Sequence, residues 1–494
     1  MGNILLARVH GLTVPYIVLC PPGTGKTKTV CEAVLQLCRH QSCTVLVTAP
    51  SNAAADLLLE KLSTSLSKTD MLRFMAFNRN PKEVSSVNKS FTYSYDDGEG
   101  VFVQPPLEDL LKVKVVVATC CMAAKLFNLG LPRKHWDAIF IDECGHAVEP
   151  EAVAVFTAAH PKQLVIAGDP KQLGPVVRSR LANRYGLEKS YLERLGELTL
   201  YQPMSRGHDP SAHDAGTLGY ENKVITKLVR NYRSHPDILD LPNKLFYDGH
   251  LQTCQDRESE AYLRSYSLAQ WSELPVKGFP LIFNGIEGKN EREANSPSWF
   301  NIAECERVLQ YVRLLAESKV PHRDIGIVTP YAKQVEKLTT LLRKNGIKVG
   351  GNELMIGSAE KFQGQERRVI IVSTVRSSEN FLEFDALHNL GFVSNPKRFN
   401  VAVTRAQALL IIVGNARILA KDRCWGELLW MCHAKGSYTG MDLPPRGNAE
   451  DEEKRAAAML EKLTDVQLDL DVSDDESAPR NVERETGVSW RDAD

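Results

Sequence analysis

Long apolar runs are missing from this 494-residue chain, and nothing in it approaches the eighteen or more uninterrupted apolar residues of a membrane span. The opening Met1-Gly2-Asn3-Ile4-Leu5-Leu6-Ala7-Arg8 lacks a basic leader and a cleavage site, so no export signal is expected. Its 11 cysteines form no C-x-x-C pair and no Cys/His run at zinc-ligand spacing, which argues against a disulfide framework or a zinc site. A strong charge of one sign is lacking too, since the formal net charge is −1. That balance conceals an asymmetry: residues 448–494 hold 6 Lys and Arg against 15 Asp and Glu, leaving 54 against 46 in the rest. A mildly basic body with an acidic tail is compatible with a polyanionic partner without establishing one. With 43% hydrophobic and 24% charged residues, the composition is that of a soluble α/β protein of two or three domains, expected in the cytoplasm.

What is present is a repeated grammar of short β-branched runs, glycine- or serine-bearing turns and helix-like segments. The first set is Tyr16-Ile17-Val18-Leu19, Thr44 to Thr48, Val113 to Ala118, Ala138 to Ile141 and Gln163 to Ala167. The second is Pro280 to Phe283, Ile325 to Thr329, Val369 to Ser373 and Ala408 to Val413. Short, nearly all-apolar runs predict strands of parallel sheets covered by helices on both faces. The expected fold is therefore α/β, with two tandem P-loop-type domains at residues 1–223 and 224–435 and an acidic, largely disordered tail over 436–494. Residues 78–110 read as a surface insertion in the first domain, and 201–222 as a surface loop.

The most specific string is Cys20-Pro21-Pro22-Gly23-Thr24-Gly25-Lys26-Thr27, between a strand and a helix-like run, a P-loop except for Cys20 in place of its first glycine. Backbone N–H groups of Gly23, Thr24 and Gly25 and a helix N-terminus would wrap phosphates, Lys26 would neutralise them, and the Thr27 hydroxyl would bind Mg²⁺. Cys20 predicts altered affinity more than lost function. Asp142 and Glu143 at the end of a later strand have the Walker B arrangement, the first for Mg²⁺ and the second to polarise the attacking water. Gln172, in Gly168-Asp169-Pro170-Lys171-Gln172-Leu173, is placed to sense the γ-phosphate. ATP and Mg²⁺ are thus the expected cofactors.

Six strings occur in order: Thr48 to Asp56, Asp142 to Ala147, Gly168 to Leu173, Leu228 to Arg233, Phe362 to Glu366 and Asn400 to Ala406. The set resembles the superfamily 1 helicases of the nonsense-mediated-decay type. Asp142 to Glu151 and Glu287 to Glu293 look most like the Moloney leukaemia virus ten group, with the fly Armitage and plant silencing-defective helicases. The resemblance covers roughly residues 14–435 and implies two RecA-like domains acting as an ATP-dependent RNA helicase or translocase, 5′-to-3′, in RNA silencing or decay. It further implies that Tyr232 stacks on adenine, that Arg233 reaches the γ-phosphate, that Gly364 and Glu366 bind the nucleotide, Glu366 at its ribose, and that Arg405 is the arginine finger.

The resemblance also implies RNA contacts at Ser51, Asn52, Thr119, Pro330, Tyr331 and Ser358, holding a single strand chiefly through its phosphates. Motifs alone do not separate RNA from DNA, so a superfamily 1 DNA helicase is the nearest alternative. A catalytically weak RNA-binding scaffold is the other, motivated by Cys20. Family members carry a glutamine upstream of the P-loop strand that reads adenine, whereas residues 1–14 contain none; either the chain is truncated or it dispenses with that contact. In the tail, Ser473-Asp474-Asp475-Glu476 reads as a kinase acceptor, and Trp490 near Gly487 as a candidate element for Argonaute, against a plain solvating tail. Argonaute or RNA-decay proteins are accordingly the candidate partners, with RNP granules as the candidate site within the cytoplasm.

Overall fold

The computed structural model describes residues 14–40, 43–95, 101–157, 159–203, 218–254, 267–293, 296, 298–377 and 395–446. The phosphoacceptor run at Ser473 and the Trp490 element lie outside the described residues, as does most of the 201–222 loop. The chain divides into two compact units, the first running to Tyr232 and the second starting at Arg233.

The first unit is built on seven parallel strands: β1 (Tyr16–Leu19), β2 (Val45–Ala49), β3 (Met71–Phe74), β4 (Val115–Thr119), β5 (Ala138–Ile141), β6 (Gln163–Gly168) and β7 (Ile225–Lys227). Their order across the sheet is β3-β4-β2-β5-β6-β1-β7. Apolar residues from both faces of these strands are buried, as in Val45, Leu46 and Val47, because helices cover the sheet on either side. Helix α1 (Lys26–His40) turns Val30, Ala33, Val34 and Leu37 inward, and α2 (Asn52–Leu62) starts at Ser51, whose hydroxyl accepts the Ala54 N–H. Strand β7 pairs with β1 in the register Ile17 to Ile225, which carries the first unit beyond residue 223.

The second unit repeats the plan with six parallel strands: β8 (Leu281–Gly285), β9 (Ile325–Val328), β10 (Met355–Gly357), β11 (Arg367–Ser373), β12 (Ala406–Gly414) and β13 (Tyr438–Gly440). Their order is β10-β9-β11-β12-β8-β13, so this sheet continues past residue 435. Helix α3 (Ile302–Glu317) buries Cys305, Val308, Val312 and Leu315 against it, and α4 (Ala332–Lys344) buries Leu338 and Leu342. The architecture is the α/β, doubly covered pair of sheets expected from the sequence.

The stretch 78–110 has more structure than its weak pattern suggested. It contains a helix at Ser86–Ser90, a hairpin of Ser94–Tyr95 with Val101–Phe102, and a helix at Leu107–Lys112. Polar bonds dock it on α2: Glu60 accepts from Ser85 at 2.7 Å and from Asn88 at 3.0 Å, while Arg79 pairs with Asp56.

Candidate nucleotide and nucleic-acid sites

In the first unit the predicted site residues follow the carboxyl ends of the parallel strands, where an open α/β sheet places its ligands, whereas in the second Glu366 and Arg405 immediately precede β11 and β12 and so lie at their amino ends. Strand β1 ends at Leu19, and the turn to α1 holds Gly23 and Gly25 with φ of +71° and +81°, a backbone region that favours glycine. Thr24 closes the turn by donating its hydroxyl to the Pro21 carbonyl at 2.7 Å. Cys20 occupies no such special conformation. Its N–H donates to Gly168 at 2.8 Å, its thiol points back to the Val18 carbonyl, and burial pushes the thiol well above its usual pKa. A small apolar side chain therefore replaces the usual glycine as core packing, away from the phosphate-facing turn.

Lys26 opens α1 and lies against both predicted acids, 3.4 Å from Asp142 and in direct contact with Glu143. Burial alone would lower the Lys26 pKa, but Asp142 and Glu143 outweigh it and raise the value, so the ammonium is charged. Burial pushes the Asp142 carboxyl upward against the pull of Lys26. Glu143 has a left-handed backbone (φ +52°), its N–H donates to Asp142 at 2.9 Å, and its second oxygen lies 3.4 Å from His146. The turn packs hard against the neighbouring strand end. A Cβ on Gly145 would stand 3.1 Å from the Asp169 carbonyl, and one on Gly168 would stand 3.0 Å from the Gly145 nitrogen. At that strand end Gln172 donates to Asp169 at 2.8 Å, fixing the side chain predicted to sense phosphate.

Sequence reasoning gave no role to two residues of this site. Asn231 donates its side-chain amide to the Pro22 carbonyl at 2.7 Å, and the next backbone N–H, of Tyr232, donates to Gly23 at 2.8 Å. The segment after β7 is thus strapped to the phosphate turn, leaving the Tyr232 ring 56% exposed beside it. His146 is the other. Only its distance from Glu143 in three dimensions reveals it.

In the second unit Arg233 pairs with Glu366 and donates to the Thr404 carbonyl at 3.3 Å, while Gln407 donates to the other Glu366 oxygen at 3.0 Å. Arg405 follows Thr404 and is held by the Val401 carbonyl at 3.1 Å and the Thr404 hydroxyl at 3.3 Å. Gly364 has φ of +69° in the turn before Glu366. The second unit thus gathers Arg233, Glu366 and Arg405 at the amino ends of β11 and β12, whereas the first gathers Lys26, Asp142 and Glu143 beyond the carboxyl ends of β1 and β5.

The predicted nucleic-acid contacts occupy helix starts, except Ser358, which opens a turn. Ser51 caps α2, and the Asn52 side-chain Oδ1 accepts from the buried guanidinium of Arg73 at 3.0 Å, which orients its amide. Thr119 is buried, accepting the Met122 N–H at 3.3 Å as cap of the helix Cys120–Lys125. Pro330 and Tyr331 lie between β9 and α4, and Ser358 follows β10, accepting the Lys361 N–H at 3.4 Å.

Two family models, each described as an AAA domain, match residues 212–417 and residues 10–99 with 107–180. A putative helicase mov-10-B.1 of Danio rerio is 47% identical over 446 residues, which is 87% of this chain and 42% of that protein. The chain belongs to the superfamily 1 helicases of the nonsense-mediated-decay type. RNA helicase Mov10l1 of Homo sapiens is 44% identical to this helicase-family chain over 87% of its length and 34% of the human protein. For the probable RNA helicase armi of Drosophila melanogaster the figures are 36% identity, 90% and 38%. This superfamily 1 chain therefore spans less than half the length of these curated relatives. No helix among its described residues is long and apolar enough to cross a membrane.

Proposed function

We propose that the chain provides an ATP-dependent RNA helicase or translocase activity, moving 5′-to-3′ along single-stranded RNA to unwind it or strip bound proteins, in silencing or decay in the cytoplasm. The observation that carries this reading is the Lys26 ammonium held between Asp142 and Glu143 at the mouth of a two-glycine turn. Two carboxylates against one ammonium leave a negative balance, and with the Thr27 hydroxyl they form an all-oxygen donor set, the chemistry that suits Mg²⁺. Thr27 and Asp142 would hold that ion, which neutralises charge on the β- and γ-phosphates when bound.

Lys26 exchanges its carboxylate partners for phosphate oxygens when ATP enters, which releases Glu143 to orient and deprotonate a water. Attack of that water on the γ-phosphorus breaks its bond to the β-bridging oxygen, the proton passes to Glu143, and ADP and phosphate result. His146 steadies the second Glu143 oxygen. Tyr232 offers its exposed ring to the adenine, Glu366 takes the ribose, Gln172 reports the γ-phosphate, and Arg233 and Arg405 stabilise transition-state charge.

RNA is favoured as the track because relatives named as RNA helicases are more than a third identical to this chain over the aligned residues. The test is ATP turnover with matched RNA and DNA oligonucleotides. Stimulation by RNA above DNA is expected. A strong DNA preference overturns the choice of track, and RNA binding with turnover at background in wild type and Lys26→Ala alike overturns the motor.

A further inference from the structure

The run Glu287 to Glu293 carries part of the family resemblance, yet the activity proposed above gives it no role. It leads into a short antiparallel hairpin in which Arg292 faces Trp299. The Arg292 guanidinium lies 5.0 Å from the Trp299 ring centre, and the Arg376 guanidinium lies 4.8 Å from the same ring and 5.1 Å from that of Tyr331. Four side chains from separate parts of the second unit thereby form one alternating column of cations and aromatic rings. One end is Tyr331, at the start of α4; the other is the exposed Arg292.

Two devices hold the column, one buried and one at the surface. Val375, immediately before Arg376, has φ of +70°, a strained conformation for a β-branched residue. It is clamped there because its N–H donates to Glu304 at 2.9 Å and its carbonyl accepts from the Asn301 amide at 3.2 Å. The hairpin is in turn fastened to α4. The Lys333 N–H donates to the Ser298 hydroxyl at 3.1 Å, and Glu293 pairs with Lys333 at 2.6 Å and with Lys337 at 2.5 Å. Strain held by buried polar groups is characteristic of sites that must present a side chain in one orientation.

We infer that Arg292, laid on the face of Trp299, is a phosphate contact for single-stranded nucleic acid, and that Trp299 and Arg376 are positioning residues that hold Arg292 and Tyr331 on one surface. A guanidinium pre-oriented on an aromatic face loses less freedom on binding than a loose one, and its planar fork matches a phosphate. This rests on the nucleic-acid reading of the preceding subsection.

The test titrates a labelled single-stranded RNA, and the matched DNA, into wild type, Arg292→Ala, Trp299→Ala and Trp299→Phe between 50 and 200 mM salt. Arg292→Ala should weaken binding about tenfold at low salt and lower the logarithmic salt slope by about one. Trp299→Ala should lose a similar factor, and Trp299→Phe should restore most of it. Wild-type affinity and slope in Arg292→Ala overturn this inference while leaving the motor reading intact. Failure of wild type to bind either oligonucleotide overturns both. Since Arg292 is exposed, its substitution keeps the test readable should Trp299→Ala not fold.

Discussion

The Asn231 amide donates to the Pro22 carbonyl at 2.7 Å, joining residues 209 positions apart in the chain. With the adjacent bond from Tyr232 to Gly23, it ties the segment after the last strand of the first sheet to the phosphate turn. Asn231 is fully buried, so removing its amide leaves a buried carbonyl unmet. Asn231→Ala should cost about 1–3 kcal/mol in the order of the turn. Its signature is a raised KM for ATP with a smaller change in kcat, measured by steady-state hydrolysis.

Cys20 stands where most P-loops have glycine, but its backbone needs no glycine and its sulfur packs in the core. Cys20→Gly should therefore leave ATP turnover within about twofold of wild type while destabilising the first unit by about 1 kcal/mol, through added backbone freedom and lost packing. Thermal unfolding and turnover on the same samples check both halves. A large gain in ATP affinity would contradict the placement of the thiol.

Lys26 and Glu143 touch, yet their substitutions should separate. Lys26→Ala removes the cation proposed to meet the phosphates and should abolish turnover by weakening ATP binding. Glu143→Gln keeps the turn and removes the proton acceptor, so turnover should fall about 10²- to 10⁴-fold while ATP still binds. Nucleotide binding and single-turnover hydrolysis distinguish the two. Normal turnover in Glu143→Gln would remove Glu143 from the chemistry.

Glu304 supplies a pH prediction. Burial raises its pKa from the usual carboxylate range to about 7, even though the Ser373 hydroxyl and the Val375 N–H favour the charged form. Because the folded state holds this proton more tightly than the unfolded chain, the contribution to stability is complete below about pH 4.5 and is lost as pH rises through about 7. The effect is on the order of 3 kcal/mol at most. Glu304→Gln should flatten the fall in thermal stability of the second unit between pH 5 and 8, measured by circular dichroism.

The groups proposed for the nucleotide site stand out in the sequence because each lies in a contiguous string whose chemistry has few other uses: glycines with Lys26 and Thr27, or Asp142 beside Glu143 at a strand end. The interior strands were legible because burial on both faces makes them continuous apolar runs. Within the two main sheets four strands escaped notice, Met71–Phe74, Ile225–Lys227, Met355–Gly357 and Tyr438–Gly440, and these are the sheets' edges. An edge strand pairs on one side only and tolerates polar residues such as Arg73, Lys227 and Thr439, so its pattern is faint.

Asn301 and Glu304 show a different blind spot. Their spacing is that of a helix cap, and Asn301 does accept the Glu304 N–H at 3.2 Å. The Glu304 carboxylate nevertheless accepts from Ser373, Val375 and the Asn301 side-chain amide, not from the Asn301 N–H, which is met by Gln334 at 2.9 Å. Local spacing suffices for the cap. The long-range clamp depends on which strands the fold makes neighbours.

Strand displacement tests the motor most directly. A duplex RNA carrying a 5′ single-stranded overhang is mixed with ATP and either wild type or Glu143→Gln, and release of the labelled strand is followed in time. The account predicts ATP-dependent release by wild type and none by Glu143→Gln, with a 3′ overhang serving poorly. Equal release by both proteins, or release that does not depend on ATP, would contradict it.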